Sequence, residues 1–246
     1  MAYGAIGCFI GYMLRIEPDM WLLSIGLVNV PFYCMEIRHS FFKDIVMSVG
    51  EISSVEVELI YTIVFLIIYA CGGDCVDRST ADLTGFAIMG GIKLKTALVI
   101  FTFCLEALFI VDNLKESISK DPKTTFRYFS PVLIMAFFGF LSSYNPSFYE
   151  ETVIMNYNYQ MVFTLIVFKL MVHNMTGKPF EVLHWQYIYL ILPFIAYNVF
   201  NVSVQTELYI TRACAICSFI EFFYNIYCIS RQYIKTEEIN FFTIKE

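Results

Sequence analysis

Long apolar runs follow one another along this sequence, interrupted only by short polar corners. They occupy residues 1–14, 20–35, 55–71, 96–111, 128–144, 157–173, 185–200 and 208–229, which we read as eight membrane helices. Several fall short of the ~20 apolar residues that usually span a bilayer, a length that suits a thin membrane such as that of the endoplasmic reticulum. Only 15% of the 246 residues are charged, against about 25% in a soluble domain. A mean hydropathy of +0.64 agrees. The pattern predicts an all-α polytopic membrane protein, with residues 1–246 as a single transmembrane domain that ends in a short tail, 230–246. A net charge of −6 leaves no basic footprint for nucleic acid. The partner in view is the lipid bilayer.

Lysine and arginine divide unevenly between the two sides of such a bundle. The loops 15–19, 72–95, 145–156 and 201–207 carry four: Arg15, Arg78, Lys93 and Lys95. The loops 36–54, 112–127 and 174–184, with the tail, carry ten: Arg38, Lys43, Lys115, Lys120, Lys123, Arg127, Lys178, Arg231, Lys235 and Lys245. The positive-inside rule puts the second set, and with it both termini, in the cytoplasm. Asn201-Val202-Ser203 is a formal glycosylation sequon on the other side, expected to go unused so close to the membrane.

Few residues in so apolar a chain can carry chemistry. Asp74, Asp77 and Asp82 form the densest acidic cluster; three carboxylates suit Mg²⁺, but a solvated glycine-rich loop explains them equally simply. Cys214 and Cys217 have CxxC spacing without a nearby histidine and read as buried thiols. Glu106 and Glu221 lie inside apolar runs, with Arg212 near the start of one. A charge at that depth faces a cavity or a partner, although Glu106 is also close enough to a helix end to reach the interface. Glu51, Glu56 and Glu58 lead into the third helix, where an acidic start suits the helix dipole or faces a substrate. His173, Asn174 and Lys178 share the corner KLMVHNMTGKPF, residues 169–180. A histidine there has the near-neutral pKa of a general base.

At this corner the sequence resembles a known family. KLMVHNMT is similar to the K-L-V-V-A-H-M-T segment of choline and ethanolamine phosphotransferases, the eukaryotic CDP-alcohol phosphotransferases. Glu17-Pro18-Asp19-Met20-Trp21 resembles the family's N-P-D-W, and Phe32-Tyr33-Cys34 its F-Y-C. EISSVE, from Glu51 to Glu56, resembles D-V-T-E-V-Q; YNVFN, from Tyr197 to Asn201, resembles Q-Y-F-N; and Phe241 to Lys245 resembles the closing V-F-R-I-K. The matches keep their order along the chain.

The resemblance implies a ten-helix enzyme of the endoplasmic reticulum or Golgi membrane. Such enzymes move phosphocholine or phosphoethanolamine from a CDP-alcohol to diacylglycerol, and they form dimers. Two Mg²⁺ or Mn²⁺ ions, held by the carboxylates of D-G-x2-A-R-x8-G-x3-D-x3-D, neutralise the pyrophosphate while the lipid hydroxyl attacks. Neither Asp-Gly nor Ala-Arg occurs in this sequence. By alignment the last signature aspartate would stand just ahead of Met1, so the chain is expected to correspond to helices three to ten. No catalytic or metal-binding residue, and no metal, is then expected of this chain alone. Its substrate-facing candidates are Glu51, Glu56, His173, Asn174 and Lys178. Two positions depart from the family: Asn174 stands where its histidine would, and Ser54 where its glutamate would. The expected function is aminoalcohol phosphotransfer in phospholipid biosynthesis, with this chain inactive by itself. The alternative is a non-catalytic membrane protein that pairs with a full-length relative.

Overall fold

A computed structural model describes residues 18–43, 48–49, 52–70, 72–79, 92–177 and 179–237. The run 1–14, Glu51, Asp82, Lys178 and the last nine residues lie outside them. The elements are α1 (Pro18–Phe42), β1 (Ser48–Val49), β2 (Ile52–Ser53), α2 (Ser54–Ala70), a 3₁₀ turn (Gly73–Asp77), α3 (Leu94–Lys120), α4 (Pro122–Ser142), α5 (Pro146–Glu150), α6 (Thr152–Thr176), a second 3₁₀ turn (Trp185–Tyr187), α7 (Ile188–Asn198) and α8 (Val204–Glu237). The two strands form a minimal antiparallel hairpin, with Ser48 opposite Ser53 and Val49 opposite Ile52.

The chain is an all-α membrane protein. Among the described residues, three helices are long and apolar enough to cross a bilayer: Leu94–Lys120, Pro122–Ser142 and Val204–Arg231. Polarity is arranged as lipid demands. Leu66, Leu108 and Ile220 are 63%, 60% and 60% exposed, whereas Asn158, Ser218, Glu207 and Thr211 are fully buried. Large apolar side chains point outward where the solvent is hydrocarbon, and polar groups turn inward to find partners.

The predicted runs 20–35 and 157–173 are helical, within α1 and α6, and 55–70 of the run 55–71 lies within α2. The run 185–200 differs. It is a 3₁₀ turn followed by the 11-residue α7, about 16 Å long at 1.5 Å per residue, or half of a ~30 Å hydrocarbon core. The loop expected over 112–127 shrinks to a single residue, Asp121. The cause is local: Asp121 Oδ1 accepts hydrogen bonds from the amides of Lys123 and Thr124, at 3.1 and 3.2 Å. Its Oδ2 accepts from Thr124 Oγ1 at 2.6 Å. An Asp N-cap followed by Pro at the first helical position starts α4 as soon as α3 ends. The Thr124 hydroxyl, then the Thr124 amide, hold the Asp121 carboxyl below its usual pKa. Apolar run length misses such a helix because its last and first turns are charged.

Contacts divide the chain into two compact units. The first holds residues 1–140 and 166–184. In it α1 packs along α3, fastened where Arg38 meets Glu116 at 2.9 Å and Lys120 Nζ donates to the Phe41 carbonyl at 2.6 Å. At the end of α2, Cys75 and Val76 of the 3₁₀ turn bury against Ile68, beside Leu94 and Leu98. Lys95 pairs with Asp77 at 2.8 Å, so one aspartate of the candidate acidic cluster is tied to a lysine.

The second unit holds residues 141–165 and 185–246. Its fixed point is Glu207, fully buried near the start of α8. One carboxylate oxygen accepts from Ser147 Oγ at 2.6 Å and Thr211 Oγ1 at 2.9 Å; the other accepts from the Ser147 amide at 3.2 Å. It thereby caps α5 with a side chain from α8, because the first amides of any helix lack partners within it. Glu207→Ala strands three buried donors and should lower stability in detergent by about 3 kcal/mol, against about 1 kcal/mol for Thr211→Val. Denaturant titration of the purified chain in mixed micelles measures both, and equal small losses would refute this role for Glu207.

Candidate functional site

The corner KLMVHNMTGKPF is built by a helix stop. Helix α6 ends at Thr176, and Gly177 takes the left-handed φ of 67° while its amide donates to the His173 carbonyl at 2.8 Å. Glycine adopts that conformation without a Cβ penalty, so the helix closes and the chain turns back. The turn lays Phe180 across the end of the helix. Its ring stands edge-on to Tyr128 of α4 at 5.5 Å and lies 5.9 Å from His173. Arg127 Nη2 donates to the Phe180 carbonyl at 2.9 Å.

His173 and Asn174 are neighbours in sequence, about 100° apart around α6, and they serve different helices. Asn174 faces α1. Its Nδ2 donates to the Glu36 carbonyl at 2.9 Å and to Glu36 Oε2 at 3.2 Å. Ser40 Oγ lies 2.5 Å from Asn174 Oδ1 and 3.1 Å from the Glu36 carbonyl. Glu36 is 4% exposed, so Asn174 supplies a donor to a carboxylate that water barely reaches. Tyr33, Glu36 and Ser40 recur at spacings of three and four, one stripe of α1.

His173 faces α4. Its Nε2 lies 2.8 Å from Tyr128 Oη, and the rings meet edge to face at 5.3 Å. Tyr33 Oη donates to the Tyr128 carbonyl at 2.8 Å, which ties α1 to α4. Across Phe180, 5.5 Å away, sits the ring of His184. Burial, helped by the charge of Lys169, pushes the His184 pKa down to about 4.

This arrangement can shuttle one proton between an imidazole and a phenol, with the tautomer deciding which atom donates. It can also fix a buried carboxylate with an amide. Asn174 has no ionisable proton, so it positions and does not act as a base. Of the sequence candidates, His173 and Asn174 come together here. Glu56 lies in the first turn of α2; Glu51 and Lys178 lie outside the described residues. Sequence reasoning passed over Glu36, Ser40 and Tyr128. The available signal was a glutamate one residue past the apolar run 20–35.

The remaining candidates find mostly structural partners. Glu221 Oε1 accepts from Gln186 Nε2 at 2.5 Å. Arg212 pairs with Glu151, Nε to Oε2 being 3.0 Å. Cys214 is buried and Cys217 exposed on α8, both as free thiols. Glu106 is partly buried in the middle of α3. Among the described residues no three His, Cys, Asp or Glu side chains converge on a metal-sized site. The chain matches no protein-family model and has no significant match among curated proteins.

Two outcomes follow from this geometry. Asn174→Ala removes the amide donor to the buried Glu36 carboxylate and should cost about 2 kcal/mol, while Asn174→Asp sets two carboxylates about 3 Å apart and should cost more. A denaturant titration in which Asn174→Asp matches wild type contradicts the contact. His184 takes up its proton less readily folded than unfolded. Its contribution is therefore full above pH ~6.5 and declines as pH falls toward about 4, with a slope of at most one proton. Titrating stability against pH should show that slope shrink in His184→Phe; an unchanged slope contradicts it.

Proposed function

We propose that this chain forms the lipid- and CDP-alcohol-facing chamber of an aminoalcohol phosphotransferase of phospholipid synthesis, in the endoplasmic reticulum or Golgi membrane. The observation that carries the reading is a meeting of two segments. Phe32-Tyr33-Cys34 and KLMVHNMT, which both resemble the phosphotransferase family, lie some 140 residues apart in sequence. Helix α1 and the end of α6 bring them to one corner, through Asn174 on Glu36 and through Tyr128, whose carbonyl meets Tyr33 and whose hydroxyl meets His173. Two resemblances that are independent along the chain thus share a place in the fold.

Magnesium is the metal this family implies, and the residues at the corner do not fit it. A dinuclear site on a pyrophosphate takes several carboxylates. Here the carboxylate is Glu36, and its Oε2 already accepts from Asn174. We therefore route no step through a metal at this corner. The D-G-x2-A-R signature does not occur within residues 1–246, and this chain alone is expected to carry out no phosphotransfer.

The amide of Asn174, with no proton to move and Glu36 to hold, also favours a second reading: a non-catalytic membrane protein that pairs with a signature-bearing relative. The experiment addresses both. A photoactivatable diacylglycerol should label the purified chain, and excess unlabelled diacylglycerol should compete. Microsomes holding only this chain should make no phospholipid from CDP-choline or CDP-ethanolamine, diacylglycerol and Mg²⁺. Absence of competed labelling overturns the chamber, and product above an empty-vector control overturns the claim of inactivity.

A further inference from the structure

Two of the three candidate membrane spans, α3 and α4, are joined by Asp121 alone. The turn stands where α3, 27 residues and about 40 Å long, has run past the length of a ~30 Å hydrocarbon core, so it is placed at or beyond a membrane face. Between the helix ends is a cleft of about 260 Å³, lined by Leu114, Ile118, Pro122, Thr125, Phe126 and Phe129. The lining is almost wholly apolar. Ile118 and Phe126 remain 49% and 65% exposed.

The edge of this cleft is cationic. Lys115 stands three residues before Ile118 on α3, and Lys123 three residues before Phe126 on α4; residues so spaced are neighbours on a helix surface. Both lysine side chains are exposed; the Lys123 amide donates to Asp121 Oδ1, and its ammonium group is attracted to that carboxylate. Two of the nearby acids have partners, while Asp112 stands three residues before Lys115. Glu116 pairs with Arg38, and Asp121 accepts the first amides of α4. Lys120, held on the Phe41 carbonyl and 4.5 Å from the Phe42 ring centre, adds a further positive charge on the same turn.

An apolar slot at the end of two candidate membrane spans, with exposed lysines on the neighbouring helix positions, matches one kind of molecule. We propose that the α3–α4 turn is a binding site for an anionic phospholipid, with an acyl chain in the cleft and the phosphate between Lys115 and Lys123. The slot selects for a lipid, because a free anion gains nothing from Ile118 and Phe126. The lysines select for negative headgroups, because a zwitterionic lipid presents a compensating cation. The proposal does not depend on the function proposed above.

The test uses the full chain in detergent, with retained lipid counted by native mass spectrometry and melting temperature read in parallel. Phosphatidylserine should be retained and raise the melting temperature; phosphatidylcholine and inorganic phosphate should do neither. Lys115→Gln with Lys123→Gln should weaken phosphatidylserine binding on the order of tenfold, and Lys115→Arg with Lys123→Arg should restore it. Phe126→Ser should weaken phosphatidylserine with both lysines in place. Equal retention of phosphatidylcholine, an equal shift with inorganic phosphate, or wild-type retention by the glutamine pair would each overturn the proposal. The arginine pair separates loss of charge from loss of fold.

Discussion

A polar side chain inside a membrane has to find its hydrogen bonds within the protein, and that constraint organises this chain. Glu207 takes three donors from Ser147 and Thr211. Asn158 donates to the Tyr189 carbonyl and accepts from Ser218. Glu36 is met by Asn174 and stands one turn from Ser40. Hydrophobic burial cannot choose among helix pairings in a solvent as apolar as leucine, so directional bonds do the choosing. Each of these groups fixes one helix against a particular place on another, while apolar side chains such as Leu66, Leu108 and Ile220 face outward.

The broad class was legible because hydropathy is a property of long windows. Seven of the eight expected runs fall on helical residues, whereas the first lies outside those described. What failed was local. The loop expected at 112–127 does not exist, since Asp121-Pro122 is a helix-start signal that charged neighbours disguise. The run 185–200 scored as a span although a 3₁₀ turn takes its first residues and α7 holds only 11. Hydropathy counts apolar residues; it does not see where caps and turns cut the backbone.

The candidate site was half legible. His173 and Asn174 stood out by chemistry and by resemblance. Helix geometry separates them. His173 addresses Tyr128 on α4, and Asn174 addresses Glu36 on α1. The partners are more than forty and more than one hundred residues away, and no spacing rule in a single sequence connects positions so distant. An asparagine at position 174 has a physical meaning of its own. An amide donates to a buried carboxylate at any pH, which a histidine does only in a suitable tautomer or charge state. Position 174 is thus adapted to hold Glu36.

That adaptation is open to a direct measurement: a double-mutant cycle on Glu36→Ala and Asn174→Ala, read as unfolding free energy in mixed micelles. Once Glu36 is gone, Asn174→Ala should be much less costly, giving a coupling of about 1–2 kcal/mol. Strictly additive losses would mean that the two side chains do not interact, and the organisation of the corner described here would be wrong.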